Sequence, residues 1–93
     1  MPKSCVQILV HGKVQGVYFR KYVQQIALSL NLSGFVRNQM DGSVYIEAIG
    51  DKEKIHKLVD WCNKGPQLAS IEKVLVKEIT AKQYSGFEIR KTE

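Results

Sequence analysis

Apolar residues alternate with polar ones near the start of the chain and then change to a helical spacing. Val6, Ile8 and Val10 lie two residues apart, which predicts a strand over residues 5–14 with one fully apolar face. The apolar residues that follow fall on one side of a helix, which ends at Asn31. They are Phe19, Val23, Ile26, Ala27 and Leu30.

A hairpin is predicted in the middle of the chain. Residues 33–38 form a short run built on Phe35 and Val36, and residues 44–49 form a second apolar run. The residues between them include Asp41-Gly42, which is the strongest short signal for a turn between two strands. We therefore expect two antiparallel neighbouring strands here.

The helical spacing returns after the hairpin. Asp51 can cap a second helix, and Gly65-Pro66 ends it. The buried stripe of this helix is predicted to be Ile55, Leu58, Val59 and Cys62. A strand is predicted over residues 71–79, and a short last strand over residues 87–89.

This order of elements predicts the fold class. Strand, helix, strand, strand, helix and strand in succession is the split-βαβ, ferredoxin-like plan of an α+β protein. It predicts an antiparallel sheet with both helices packed on one face. Because no linker or low-complexity stretch divides the chain, we expect residues 1–93 to form a single domain.

Composition narrows the possible partners. Apolar residues make up 44% of the chain, which is typical of a globular protein, and no apolar run approaches the roughly 18–20 residues of a membrane span. His11 and Lys13 interrupt the first apolar run, so a secretory signal is not predicted. The net charge of +5 favours an anionic partner such as a phosphorylated metabolite or a nucleic acid. We expect a cytoplasmic monomer without a membrane partner.

The two cysteines, Cys5 and Cys62, lie far apart and outside any C-x-x-C pattern. In a reducing compartment each is expected to be a free thiol. With only His11 and His56 to add, a zinc site is not expected, and we predict neither a metal nor a cofactor.

The segment between the first strand and the first helix is the best candidate for a binding site. Gly16 lets the backbone approach an anion, and the loop N–H groups lie at the positive end of the helix. Arg20, in the first helical turn, can bind two phosphate oxygens at once. These residues predict a dianion site, although a glycine here can also serve only a tight turn. Val17 and Phe19 are expected to be core residues.

Asn38 is the second candidate. It stands at the end of a strand, where an asparagine commonly forms a turn, but its amide can also orient a water molecule. The residues alone leave both readings open. Arg37 alternates with Val36 and is predicted to point to solvent.

Both segments resemble the signatures of the acylphosphatase family. The first signature reads G-x-V-Q-G-V-x-F-R, and residues 12–20 match every fixed position. The second reads glycine, aromatic, small apolar, basic, then N-x-x-x-G-x-V, with a glycine six residues on. Residues 34–44 and Gly50 match it. The likeness extends over nearly the whole chain.

The resemblance implies a metal-independent hydrolase that cleaves acyl phosphates to a carboxylate and inorganic phosphate. It assigns phosphate binding to Arg20 together with the loop amides, and positioning of the attacking water to Asn38. The amides concerned are those of Gln15, Gly16, Val17, Tyr18 and Phe19. No nucleophile with a partnered base is predicted, so a phosphoenzyme is not expected.

Three other functions remain as alternatives. An RNA-binding module of the same fold would need several exposed aromatic residues on a central strand, where this chain offers Phe35 alone, so no nucleic-acid partner is expected. A domain of a larger maturation protein that handles carbamoyl phosphate is a second alternative, and a free-standing enzyme is expected instead. The third is an anion-binding domain without turnover, which the presence of both Arg20 and Asn38 disfavours. The residues leave the physiological acyl phosphate open.

Overall fold

The computed structural model describes residues 3–80 and 82–93, so residues 1, 2 and 81 of the predicted domain lie outside the described ones. The described residues form seven helices and strands in the predicted order. These are β1 (Lys3–Lys13), α1 (Phe19–Ser29), β2 (Ser33–Asn38), β3 (Val44–Asp51), α2 (Lys52–Lys64), β4 (Ser70–Glu78) and β5 (Phe87–Arg90). Each predicted boundary lies within two residues of the observed one.

The strands form one sheet in the order β4-β1-β3-β2-β5. The four longer strands pair antiparallel, as predicted, with Ile46 opposite both Ile8 and Val36. The short β5 instead runs parallel to β2, with Ile89 beside Val36. The connection between β4 and β5 contains no helix and leads the chain to the free edge of β2. The apolar pattern alone did not show that β5 would be parallel to its neighbour.

Both helices pack on the same face of the sheet. Val6, Ile8 and Val10 on β1 join Val44, Ile46 and Ala48 on β3 in one buried cluster with the apolar stripes of α1 and α2. The buried helical residues are Phe19, Val23 and Ala27 on α1, and Ile55, Leu58 and Cys62 on α2. Burial of each large side chain contributes about 1.5–3 kcal/mol, so this cluster is the main source of stability. Val17 also lies in it, as predicted.

The two helices begin in different ways. The Asp51 side chain caps α2 by accepting a hydrogen bond from the N–H group of Glu53 at 2.9 Å. In α1 the corresponding residue is Tyr18, which has φ of 61° and whose side chain makes no capping hydrogen bond. The first turn of α1 also contains no acidic residue. The start of α1 therefore keeps unpaired donors and a positive dipole end.

The face of the sheet opposite the helices, here called the open face, carries Phe35, Arg37, Tyr45 and Glu47. Arg37 lies on this face, but the prediction that it points to solvent is wrong. Its guanidinium stacks 4.6 Å from the centre of the Tyr45 ring and forms an ion pair of 2.9 Å with Glu93. The Tyr45 ring on the adjoining strand β3 attracts the planar guanidinium of Arg37 and holds it against the sheet.

Both cysteines are free and buried, as predicted. Within residues 3–80 and 82–93, no helix is long and apolar enough to cross a membrane.

Candidate active site

The loop between β1 and α1 has two residues with left-handed backbone conformations. Gly16 has φ of 75° and Tyr18 has φ of 61°. Glycine adopts this region freely, whereas an aromatic residue does so rarely and at a cost of about 1–2 kcal/mol. Alternation of left-handed and ordinary residues turns successive N–H groups toward one side, and such concave loops bind anions.

The N–H groups of this loop have no acceptor among residues 3–80 and 82–93. In the described part of the chain, none of the N–H groups of residues 15–19 donates a hydrogen bond to a backbone or side-chain acceptor. The first backbone bond of α1 comes later, from the N–H group of Tyr22 to the carbonyl oxygen of Tyr18. Five successive donors are thus available at the positive end of the helix.

Arg20 is the second residue of α1 and turns toward β5. Its Nη1 donates to the carbonyl oxygen of Arg90 at 3.3 Å, a long hydrogen bond. Among the described residues, this is the one hydrogen bond of the Arg20 side chain, and no carboxylate pairs with its charge. The contact orients the guanidinium and leaves most of its five donors for a ligand.

Asn38 is the last residue of β2 and faces the same side of the sheet as Val36, toward the helices. Its backbone is held on both sides, because it pairs with Val44 and accepts a 3.1 Å hydrogen bond from the N–H group of Glu93. Its side-chain Oδ1 is buried and has no hydrogen-bond partner among the described residues. A buried acceptor left unpaired costs about 1–3 kcal/mol, so a ligand or water is expected to satisfy it.

Arg20 and Asn38 lie in the walls of one cleft of about 390 Å³. The other residues that line it are Val14, Gly16, Tyr18, Phe19, Lys21 and Ile89. Three of the five loop residues predicted for phosphate binding thus line the cleft. Val17 is instead buried in the core, and Gln15 turns its side chain away, so these two residues have only backbone groups to offer an anion.

The Gln15 side chain joins the loop to the β2–β3 hairpin. Its Nε2 donates to the carbonyl oxygens of Gln39 and Ser43, at 2.7 and 2.9 Å. Gln39 directly follows Asn38, so this contact fixes the distance between the loop and Asn38. No role was predicted for this side chain, although glutamine is one of the fixed residues of the first signature.

The hairpin itself is held by the predicted turn. The Asp41 carboxylate accepts hydrogen bonds from the hydroxyl and the N–H group of Ser43. The hydroxyl bond is the main reason why the pKa of Asp41 lies below its ordinary value. Since Ser43 is one of the two acceptors of Gln15, the turn is coupled to the loop.

Lys21 is a second residue that the sequence analysis missed. It follows Arg20 and lines the same cleft. Cations in the first turn of a helix are disfavoured by the helix dipole, so two in succession make this corner strongly attractive to anions. That unfavourable position was the available signal.

The residues lining the cleft include no cysteine or histidine. Cys62 lies in the core, where burial raises the pKa of its thiol to about 12. Cys5 is buried within β1. The described residues contain no cluster of three or more side chains suited to holding a metal ion. The chemistry available in the cleft is that of cationic and neutral donors around one amide oxygen.

Comparison with known proteins agrees with this description. The family model named Acylphosphatase matches residues 6–89. The chain is 41% identical over 90 residues to an acylphosphatase of Pelotomaculum thermopropionicum, covering 96% of this chain and 98% of that one. It is similar to the structure of an acylphosphatase from Coxiella burnetii, with a TM-score of 0.91, 39% identity and coverage of 95% and 93%.

A larger protein contains the same fold. The structure of full-length HypF in its phosphate- and nucleotide-bound form matches with a TM-score of 0.91 and 35% identity. The match covers 99% of this chain and 12% of that protein.

Proposed function

Because the chain belongs to the acylphosphatase family, whose members are hydrolases of acid anhydrides, we propose that the cleft beside α1 hydrolyses acyl phosphates. In this reaction water attacks phosphorus, the bond from phosphorus to the acyl oxygen breaks, and a carboxylate and inorganic phosphate leave. We propose that the reaction needs neither metal nor cofactor, and that residues 1–93 act as one domain and as a monomer.

The observation that carries this proposal is that Asn38 lines the same cleft as Arg20 and that its buried Oδ1 has no hydrogen-bond partner among the described residues. An acceptor in this position can take a hydrogen bond from a water molecule and hold its lone pair toward phosphorus. The backbone contacts of Asn38 hold it rigidly, so little reorganisation is needed when the reaction occurs.

Arg20 and the loop amides act on the phosphoryl group. The five N–H groups of residues 15–19 and the guanidinium can donate to the three non-bridging oxygens. Phosphoryl transfer passes through a loose transition state with charge on these oxygens, so positioning and charge stabilisation supply most of the rate.

The leaving group explains why no acid is needed. A carboxylate has a conjugate acid of pKa about 4, so it departs without protonation at neutral pH. The proton of the attacking water passes to the phosphate of the substrate, which balances the reaction without a protein base. This agrees with a cleft lined by no carboxylate and no histidine.

The test is the substitution Asn38→Ala, measured with benzoyl phosphate in the presence of EDTA. We expect turnover to fall about a hundredfold or more, because water positioning matters mainly in the transition state. Phosphate affinity, measured by calorimetry, should stay within about twofold. Asn63→Ala is the matched control, since Asn63 makes its hydrogen bond on α2, to the carbonyl oxygen of Val59.

Rapid EDTA-resistant turnover in the wild type, lost in Asn38→Ala and kept in Asn63→Ala, would support the proposal. Equal losses of turnover and phosphate affinity would assign Asn38 to binding instead. A folded wild type that leaves benzoyl phosphate intact would refute hydrolysis and favour an anion-binding domain without turnover.

A further inference from the structure

A second recess lies beside the cleft, on the outer side of the start of α1. It has a volume of about 230 Å³ and is lined by Tyr18, Lys21, Tyr22 and Gln25. Tyr18 and Lys21 also line the phosphate cleft. Since two residues belong to both walls, the recess adjoins the cleft, and a group bonded to the phosphate can extend into it.

The side chains around this recess are chemically suited to an anion. Lys21 carries a positive charge, and the phenols of Tyr18 and Tyr22 and the amide of Gln25 can all donate hydrogen bonds. Tyr18 is 73% exposed and Tyr22 45% exposed, so both can reach a ligand from solvent. In the part of the chain that the structure describes, no carboxylate forms an ion pair with Lys21.

The backbone at Tyr18 holds the recess in this form. Its left-handed conformation is unusual for a bulky residue, and strained residues of this kind cluster at functional sites. The ring contributes nothing to the apolar core, since it projects into solvent between the two recesses. Its position at the boundary between them fits contact with the acyl part of a substrate.

We propose that this recess binds a second anionic group on the acyl part of the substrate, with Lys21 as the residue that determines the preference. The substrate class is then an acyl phosphate whose acyl chain ends in a carboxylate or a phosphate. This inference rests on the proposed function, because it concerns the leaving half of the same substrate. The phosphoryl group occupies the cleft, and the acyl group extends past Tyr18 toward Lys21.

The experiment compares substrates that differ in the acyl group alone. The probes are benzoyl phosphate, 4-methylbenzoyl phosphate as a neutral control of similar size, and the 3- and 4-carboxybenzoyl phosphates. Each kcat/KM is corrected for the uncatalysed rate of that compound. The variants are Lys21→Met and, as a matched control, Lys57→Met on the exposed side of α2. The ratio of kcat/KM for an anionic substrate to kcat/KM for a neutral one reports the acyl contact alone. Any effect of Lys21 on the phosphoryl group changes both values equally and cancels in the ratio.

In the wild type we expect at least one carboxybenzoyl phosphate to have kcat/KM about fivefold above benzoyl phosphate, as one exposed charge pair would give. Lys21→Met should reduce that ratio to about one, and 0.5 M salt should do the same, because it screens exposed charges. Lys57→Met should keep the wild-type ratio.

Equal kcat/KM for neutral and anionic substrates, or a preference that survives in Lys21→Met, would overturn this inference and leave the proposed hydrolysis standing. If the wild type hydrolyses none of the four compounds, the proposed function itself fails, and the inference fails with it.

Discussion

Polar groups are buried in two regions of the molecule: the cleft beside α1 and the open face of the sheet. On the open face, Glu47 is only 4% exposed. Its carboxylate accepts hydrogen bonds from the phenols of Tyr45 and Tyr84 and lies 3.4 Å from the ammonium group of Lys82. In the cleft, the Asn38 oxygen and five loop N–H groups have no such partners among the described residues.

The arginines of the two regions differ in the same way. Arg90 lies 4.0 Å from the centre of the Phe35 ring, and Arg37 stacks on Tyr45 and pairs with Glu93. Among the residues that the structure describes, the Arg20 guanidinium has only its long hydrogen bond to the carbonyl oxygen of Arg90. The Nε of Arg37 is also buried and unpaired among the described residues, but its guanidinium is held by Tyr45 and Glu93. The difference teaches that a polar side chain held within the protein serves stability, whereas unpaired groups that line one cleft mark where a ligand can supply the missing partners.

The covered state of Phe35 also bears on RNA binding. This ring is 3% exposed, beneath Arg90 and beside Tyr84. Recognition of single-stranded RNA on such a sheet uses exposed rings that stack on bases. Phe35 is the aromatic residue that the sequence placed on this strand, and its ring is covered by Arg90 and Tyr84 and is not free to stack on a base.

Arg20→Ala should have the largest effect. Turnover should fall about a thousandfold or more, the scale of an arginine that stabilises a phosphoryl transition state. Phosphate affinity should fall below detection by calorimetry, because the other cation that lines the cleft, Lys21, is exposed whereas Arg20 is half-buried. The melting temperature should change little, since Arg20 makes no ion pair among the described residues.

Lys82→Ala is the control, because it removes the same charge from the open face. It should leave phosphate affinity unchanged. A loss of phosphate affinity in Lys82→Ala would mean that the net charge of the protein, and not Arg20, binds phosphate.

Glu47→Gln should show the opposite pattern, with stability lost and turnover kept. Burial raises the pKa of Glu47, but the hydrogen bonds from Tyr45 and Tyr84 and the charge of Lys82 outweigh it and hold the pKa below its ordinary value. The charged form therefore stabilises the fold. Replacing it should reduce the free energy of unfolding at pH 7 by about 2 kcal/mol, the scale of hydrogen bonds to a charged group.

The pH dependence gives a sharper test of this prediction. A carboxyl whose pKa is lower in the folded state stabilises the protein above its unfolded pKa, and the effect disappears as pH falls through the folded value. The difference in unfolding free energy between wild type and Glu47→Gln should thus be constant above about pH 6 and shrink as the pH falls below about 4.3, the ordinary pKa of a glutamate. Glu88→Gln, which breaks an exposed pair with Arg90 on the same face, should cost less than about 0.5 kcal/mol. A constant difference down to pH 3 would contradict the role of the Glu47 charge.

The sequence predicted those parts of the molecule that depend on neighbours along the chain. The helix caps at Asp51 and Gly65 and the hairpin at Asp41-Gly42 follow from local chemistry, and they were found at the predicted residues. The Glu47 network was not predictable, because Lys82 and Tyr84 reach it from 35 and 37 residues away. The prediction that Arg37 points to solvent failed for the same reason, because its partner Tyr45 lies beside it only through strand pairing.

The candidate site divides along the same line. Arg20 and Asn38 stood out by residue type and signature, and the structure places both in one cleft. The four residues of the recess have the spacing of one helix face, but that spacing does not show that this face adjoins the cleft. The Gln15 contact likewise joins residues 24 and 28 positions apart.

Gln15→Met should have the smallest effect on catalysis and tests whether the two parts of the site must be held together. The substitution removes both hydrogen bonds to the hairpin while keeping a side chain of similar length. We expect kcat to fall about tenfold, because a small displacement of the loop from Asn38 disturbs the attack geometry. Phosphate affinity should fall less than kcat, since Arg20 and the loop amides move together. Gln24→Met is the matched control, because Gln24 makes the same kind of bond, at 2.9 Å to the carbonyl oxygen of Phe87, and does not itself line the cleft. If both variants lose stability equally and only Gln15→Met loses kcat, then Gln15 is a positioning residue. If both variants lose kcat in proportion to their loss of stability, the contact is structural. Gln15 then belongs to the paired framework of the protein and not to the site in the cleft.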